Sequence, residues 1–226
     1  MVAGGGLSMT SPDSTCRIAE ASDLPGVAEV FAAAFPESVR HVSGSVPEAA
    51  VLADLFALAR SAEPGSLLVA EAEGRVAGYV LAPAHTGRLQ RAIFWRGSWL
   101  RLAGHWLAGR YGPRWRVLRL TLAGKLAFLR FSRRFEACEA RILSLAVHPD
   151  FQGRGLGRRL LEAGLAHLRA EGAPCVRLEV RPDNAPARCL YEQHGFQALG
   201  TYEDPQGPWL VMLQRGEDSP HAPPAS

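Results

Sequence analysis

An apolar run, a glycine-rich turn and a helical pattern follow one another in the second half of this chain. This order constrains the fold more than any other feature. The run at 140–147 suits an inner strand, because it is largely apolar. Three glycines then fall within 153–157, and a helical pattern continues over 155–171 until Gly172 ends it. The chain therefore contains a strand–turn–helix unit, which is typical of α/β proteins.

The remaining pattern is also a mixture of helix and strand. The predicted strands are 15–19, 66–72, 75–82, 175–180, 196–202 and 209–213, and the further helices begin after Ser22 or Asp23, at about Pro47 and at Asn184. We therefore expect one mixed α/β domain over 15–215. A polar lead at 1–14 and a Pro- and Ser-rich tail at 216–226 have the composition of disordered segments.

The glycine-rich turn has the physical properties of a pyrophosphate site. Its glycines can take positive φ and let a ligand approach the backbone, while the amides of the first helical turn stay free beside the positive end of the helix dipole. Arg154, Arg158 and Arg159 add mobile positive charge. A tight strand–helix connection would use the same glycines. The Lys-Ser/Thr of a nucleotide P-loop and the Gly-x-Gly-x-x-Gly spacing of dinucleotide-binding folds are both absent.

Two longer stretches resemble signatures of the GNAT superfamily of N-acetyltransferases. Residues 143–161 resemble its acetyl-CoA motif, whose [Arg/Gln]-x-x-Gly-x-[Gly/Ala] core falls on Gln152, Gly155 and Gly157. Residues 178–196 resemble its second signature. The combination of the two is far more specific than a glycine-rich turn alone.

The resemblance covers 139–213, and it extends to 15–83 through the order of elements. It implies an α/β fold with a GNAT-like mixed central sheet flanked by helices, acetyl-CoA as co-substrate and no metal. The implied coenzyme contacts are the backbone of Leu145, Ala146 and Val147, the amides of Gln152, Gly153, Arg154, Gly155, Leu156, Gly157 and Arg158, and the side chains of Asn184 and Tyr191.

Acylation of an amine needs a neutral amine, stabilisation of the developing oxyanion and a proton for the departing thiolate. The thiol of coenzyme A resembles that of cysteine, with a pKa of about 8.5, so a weak acid suffices. The resemblance gives that role to Tyr191, in its Leu-Tyr-x-x-x-Gly-Phe context. Simple packing of this ring on the sheet is the alternative. A backbone N–H near Val147 would stabilise the oxyanion.

Glu179 is the candidate general base, because it is polar within an apolar strand. It precedes Tyr191 by twelve residues, a spacing that resembles ribosomal-protein-type N-terminal acetyltransferases of the superfamily. Alternation along the strand could instead put Arg177 and Glu179 on a solvated face. Glu139, on the neighbouring strand, is a rival base, and we interpret His148 as loop structure.

A basic segment at 85–135 lies outside the resemblance. It holds 12 of the 25 basic residues and none of the 22 acidic ones, which leaves a formal charge of −9 elsewhere. Its tryptophans recur at helical spacing, so we predict an inserted basic helical hairpin between the third and fourth strands. The hairpin could pack structurally, act as a lid over an anionic acceptor, or lie on an anionic membrane surface. The acidic remainder argues against nucleic acid.

The four cysteines are widely spread and form no C-x-x-C pair, so we expect free thiols and a cytoplasmic protein, peripheral to the membrane if the hairpin binds one. The sequence thus predicts an N-acetyltransferase that moves an acetyl group from acetyl-CoA to a primary amine of a small molecule, an amino sugar or a peptide. A non-catalytic acyl-CoA sensor is the alternative, and a homodimer is left open.

Overall fold

The computed structural model describes residues 15–36, 49–88, 138–204 and 207–216. The strands are β1 (Cys16–Ile18), β2 (Leu67–Ala72), β3 (Arg75–Leu81), β4 (Arg141–Ile142), β5 (Ser144–Val147), β6 (Cys175–Val180), β7 (Gln197–Asp204) and β8 (Gly207–Arg215). The helices are α1 (Leu24–Ala34), α2 (Ala49–Ala62), α3 (Leu156–Ala170) and α4 (Ala185–Gln193). The predicted mixed α/β class is confirmed.

Several predictions fall on other parts of the chain. The basic helical hairpin predicted for 85–135 lies outside the described residues, apart from its first four positions. The predicted disordered lead at 1–14 lies wholly outside them, and the tail at 216–226 does so except for Gly216.

The strands form two four-stranded sheets. The first has the order β1–β2–β3–β5, with every neighbouring pair antiparallel. The second has the order β4–β6–β8–β7, in which β4 runs parallel to β6 and the other pairs are antiparallel. Since β4 and β5 follow each other directly, the chain passes from one sheet to the other at Leu143.

A β-bulge marks this passage and corrects the prediction of one continuous strand over 140–147. Ser144 is the register partner of Leu81, yet the amide of Leu143 also donates to the Leu81 carbonyl at 2.9 Å. Leu143 and Ser144 therefore both lie opposite Leu81. An extra residue of this kind bends the strand and shifts its side-chain alternation by one position. As a result Ile142, Leu145 and Val147 all pack in the core beneath α3.

Helices cover both faces of the first sheet. α1 and α2 bury Val27, Val30 and Phe56 against one face, where Phe56 meets Tyr79 edge-on at 5.1 Å between ring centroids. α3 covers the other face. It approaches closely because Gly164 has no side chain: a Cβ there would lie 3.2 Å from Val80.

The cysteines correct a second prediction. Cys138 and Cys175 form a disulfide, with Cα atoms 5.7 Å apart, whereas free thiols were expected. The two residues are 37 positions apart in sequence, and only the parallel pairing of β4 with β6 brings them together. Cys16 and Cys189 are free.

Candidate functional site

The candidate site is the gap that opens where the two sheets separate. β4 pairs with β6 through Arg141 with Arg177 and Ile142 with Leu178. Beyond Leu143, β5 pairs with β3, and it makes no pairing with β6 in the described residues. The second half of β6 therefore has an edge that faces β5 without joining it, and the two strands form the walls of a cleft.

The wall made by β5 presents backbone hydrogen-bonding groups. The amide of His148 donates to the Ala77 carbonyl at 2.8 Å, so the peptide groups of alternate residues point towards β3. This alternation directs Ala146 towards β3 and directs Leu145 and Val147 towards the cleft. An extended ligand in the cleft could pair with those two residues as an added strand does.

Two polar side chains fasten the end of β5 to the following turn. Gln152 donates from Nε2 to the Val147 carbonyl at 3.2 Å. His148 accepts from the amide of Asp150 at 3.3 Å through Nδ1, which caps the short 3-10 turn Pro149–Phe151. The interpretation of His148 as loop structure is therefore confirmed.

The turn before α3 is shaped to receive an anion. Gly153 and Gly155 have φ of 75° and 77°, in the left-handed region that favours glycine, and a Cβ at either would meet no atom within 4 Å. Gly155 is also the N-cap of α3. The amides of Leu156, Gly157 and Arg158 belong to the first helical turn, which leaves them without partners inside the helix and beside its positive end.

Two arginines of this turn, Arg154 and Arg158, contact carboxylates. Arg154 contacts Glu73 of the β2–β3 hairpin at 2.7 Å and lies over the Phe151 ring. Arg158 contacts Glu162 one helical turn later at 2.9 Å, and this hydrogen bond lowers the pKa of Glu162. All four charged side chains are exposed. A bound phosphate would therefore compete with two carboxylates for these guanidinium groups.

Helix α4 closes the cleft from the other side. Asn184 caps it by accepting from the Ala187 amide at 3.2 Å, which occupies its Oδ1 and leaves the Nδ2 donors of the amide for a ligand. Leu190 lies next to the turn, because a Cβ on Gly157 would be 3.9 Å from it.

Tyr191 lies on the inner side of α4. Its ring is buried in the core shared with α3, 5.8 Å from the Phe196 ring. Burial raises the pKa of its hydroxyl to about 12. The hydroxyl therefore keeps its proton throughout the neutral range and can act as a donor.

Glu179 lies on the opposite face of β6. Val176, Leu178 and Val180 point into the core beneath α3, so alternation directs Arg177 and Glu179 to the other side. The alternative of a solvated face is wrong, because the side chains of Arg177 and Glu179 are 1% and 15% exposed. Burial raises the pKa of the Glu179 carboxyl, and the Arg177 guanidinium offsets part of that rise.

The rival base, Glu139, has different surroundings. Its side chain is 63% exposed, two residues before β4 begins, and it contacts Nδ1 of His85 at 3.5 Å. Thr86 also donates to its backbone carbonyl. The carboxylate of Glu139 is therefore in contact with water, whereas that of Glu179 is largely buried.

Sequence reasoning did not identify Arg141 as part of the site. Its side chain is 7% exposed and contacts Glu179 at 3.5 Å, because the register of β4 with β6 brings the two strands together. The only signal in the sequence was a charged residue at the start of an apolar run.

The described ranges hold no cluster of three or more His, Cys, Asp or Glu that could bind a metal ion. In the same parts of the chain, no helix combines the length and the apolar character needed to cross a membrane.

Comparison with known proteins gives a family match and several relatives. The model of the Acetyltransferase (GNAT) family matches residues 26–196. The [Ribosomal protein bS18]-alanine N-acetyltransferase of Salmonella typhimurium is 42% identical over 88 residues, which are 39% of this chain and 59% of that protein. Mycothiol acetyltransferase of Beutenbergia cavernae is 45% identical over 67 residues, 30% of this chain and 23% of that protein. The chain thus spans less than two thirds of the length of these relatives.

Solved structures extend the likeness to nearly the whole chain. SsHAT is 27% identical, with a TM-score of 0.63, over 90% of this chain and 98% of its own. The polyamine N acetyltransferase of Drosophila melanogaster is 19% identical, with a TM-score of 0.58, over 90% of this chain and 100% of its own, a likeness of fold.

Proposed function

This chain belongs to the GNAT acetyltransferase family, and from that premise we propose that it transfers an acetyl group from acetyl-CoA to a primary amine. The observation that carries the proposal is the cleft between β5 and β6. It combines an unpaired strand edge, an anion-binding helix start and a buried tyrosine hydroxyl. Each of these fits a different part of an acyl-CoA molecule.

The turn fits the diphosphate. Positions Gly153 and Gly155 leave open space where any other residue would place a Cβ, and the first-turn amides of α3 converge on that space. The exposed guanidinium groups of Arg154 and Arg158 lie on its rim and can exchange a carboxylate for a phosphate oxygen.

The cleft fits the pantetheine arm and the thioester. The peptide groups of Leu145 and Val147 would pair with the amides of the arm, and the Asn184 amide would donate to its end. A backbone N–H near Val147 is the expected donor to the developing oxyanion. Tyr191 would give a hydrogen bond, and then its proton, to the departing thiolate.

Glu179 would serve the acceptor from the other face of β6. In this arrangement the coenzyme lies on the α3 side, and the amine approaches from the side of Arg177 and Glu179. The carboxylate would take a proton from the acceptor ammonium through a water molecule, which yields the neutral nucleophile.

The test uses the full chain with acetyl-CoA and a panel of amines. One arm holds peptides with an N-terminal alanine, because a relative is named for that residue of a ribosomal protein. The others hold amino sugars and small diamines. We expect release of free coenzyme A with at least one acceptor. If calorimetry shows that acetyl-CoA binds but no acceptor in the panel is acetylated, the result would favour a non-catalytic acyl-CoA sensor instead.

We also retain as a proposal that the basic segment at 85–135 meets an anionic partner, either the acceptor or a membrane surface. Sedimentation with vesicles of graded anionic lipid content separates the two. Binding that weakens as salt increases would support the membrane. A salt-dependent Michaelis constant for the acceptor, without vesicle binding, would support the lid.

A further inference from the structure

A cluster of buried charges lies on the face of β6 that points away from α3. Arg177 is 1% exposed, Arg141 7% and Glu179 15%, measured on their side chains. Charged side chains are rarely buried to this degree unless they are paired, because each loses its hydration. A buried carboxylate between two arginines therefore needs an explanation in terms of what it does.

The strand register builds this cluster. Arg141 and Arg177 are direct partners in the parallel pairing of β4 with β6, and Glu179 follows two positions later on the same face. Both cations contact the same carboxylate oxygen, Oε1, each at 3.5 Å. The arrangement fixes the position of the carboxylate from two neighbouring strands.

Two opposing effects act on this carboxylate. Burial disfavours its charged form, and nearby positive charge favours it. Within the part of the chain that the structure describes, Tyr202 of β7 is a further titratable group near Glu179, and burial raises its pKa so that it stays neutral. Asp204 lies beyond Tyr202 and Arg181 follows β6, and both act on Tyr202. The positive charges in direct contact with Glu179 are those of Arg141 and Arg177.

We propose that Arg177 and Arg141 are positioning residues for Glu179, which hold it ionised in its buried place on the acceptor side of β6. The proposal rests on the proposed acetyl transfer, in which Glu179 is the base. The proton balance is simple: the acceptor ammonium loses one proton through water, and the Glu179 carboxylate gains it. Without the arginines, burial would act on the carboxylate with less opposition and raise its pKa further.

The first experiment compares Arg177→Met with Arg177→Lys through the pH dependence of kcat/KM. Loss of the cation should raise the pKa of Glu179, so the acid limb should move to higher pH by about 1–3 units in Arg177→Met. Arg177→Lys keeps the charge and should restore most of the wild-type profile. The affinity for acetyl-CoA should be unchanged in both. An acid limb that stays in place in a folded Arg177→Met protein would overturn the proposal.

Because Arg177 is almost fully buried, two further variants keep the test decisive. Arg141→Met removes the other cation and should shift the limb in the same direction. Arg177→Met, Glu179→Gln and the double variant Arg177→Met/Glu179→Gln form a double-mutant cycle, in which two interacting side chains give non-additive changes in the free energy of unfolding. Additive changes would argue against the coupling.

A second readout needs no turnover. The infrared carboxyl band of protonated Glu179, assigned by its loss in Glu179→Gln, reports ionisation directly during a pH titration. We expect the band to appear at higher pH in Arg177→Met than in the wild type, even if no acceptor is ever acetylated. A titration identical in the two proteins refutes the positioning role, whatever the reaction proves to be. Absence of acetyl transfer would instead contradict the proposed function alone.

Discussion

The two faces of β6 are built on different principles. One face carries Val176, Leu178 and Val180 into an apolar core with α3 and Tyr191. The other carries Arg177 and Glu179, which are also largely hidden from water but are charged. The apolar face can be stabilised by many interchangeable contacts, whereas each group of the charged face depends on a particular partner.

This difference separates the two halves of the proposed reaction. The coenzyme half uses backbone groups and one buried hydroxyl, which most neighbouring substitutions would leave in place. The acceptor half uses side-chain charges whose protonation sets the activity. Substitutions on the two faces should therefore change different observables, and the following predictions compare them.

The largest expected effect concerns the apolar face. Tyr191→Phe should lower turnover by about 10²–10⁴-fold, the usual contribution of a general acid, with little change in coenzyme affinity. Steady-state kinetics with saturating acetyl-CoA measures it.

Tyr79→Phe is the matched control. It removes another buried tyrosine hydroxyl, which contacts Ser144 at 2.6 Å on the α1–α2 side of the first sheet. We expect a loss of about 1 kcal/mol of stability and near-normal turnover. Normal turnover in both variants would move the acid role of Tyr191 to water.

The disulfide lies on the charged side of β6, because Cys175, Arg177 and Glu179 are at alternate positions and therefore share one face of the strand. Closing a 37-residue loop should stabilise the fold by about 4 kcal/mol in the chain-entropy account, roughly a thousandfold in the folding equilibrium. Cys175→Ala should lose this stability in denaturant titrations, and a reducing agent should have the same effect on the wild type. Cys189→Ala, at an exposed free cysteine, should change nothing. Equal stability of all three proteins would show that the bond does not form in solution.

Binding of the coenzyme at the glycine-rich turn before α3 should be sensitive to a single added negative charge. Gly155→Glu places a carboxylate where the diphosphate is expected, and like charges in contact cost several kcal/mol, so affinity for acetyl-CoA should fall by about a hundredfold. Gly172→Glu is its control. Gly172 has nearly the same φ, 76° against 77°, equally open space and a position at the far end of α3. Equal affinities in the two folded variants, measured by calorimetry, would contradict the proposal that the diphosphate binds at this turn.

The smallest effect concerns the base. Glu179→Gln should lower kcat/KM by about tenfold, less than the usual 10²–10⁴-fold contribution of an acid–base group, because water can replace part of its role. The loss should be greatest between the raised pKa of Glu179 and the pKa of the acceptor amine. Below that window the wild-type carboxyl is itself protonated, and above it the amine no longer needs a base. A pH profile parallel to that of the wild type would remove Glu179 from the mechanism.

Much of this architecture could be predicted from local pattern. The glycine spacing at 153–157 and the amphipathic stripe of α3 depend on neighbours in sequence, so both were predicted within one or two residues. The hairpin of β2 and β3 was predicted for the same reason.

What could not be predicted depends on register between distant strands. The contact of Arg141 with Glu179 and the bond between Cys138 and Cys175 both follow from which residue of β4 faces which residue of β6. Sequence alternation gave the shared side of Arg177 and Glu179, but it could not reveal that this side is buried. A solvated strand face and a buried ionic one have the same local pattern.

The bulge at Leu143 also constrains how chain length can vary in this protein. The extra residue shifts the in–out alternation of side chains by one position. Before it, Arg141 and Ile142 follow the alternation of the second sheet, and after it Leu145 and Val147 follow that of the first. A deletion within 141–147 would restore a regular strand and turn the cleft-facing peptide groups towards the wrong neighbour. An insertion or deletion in the β2–β3 turn would cost far less. Insertions and deletions should therefore be tolerated far better in the surface loops than within residues 141–147.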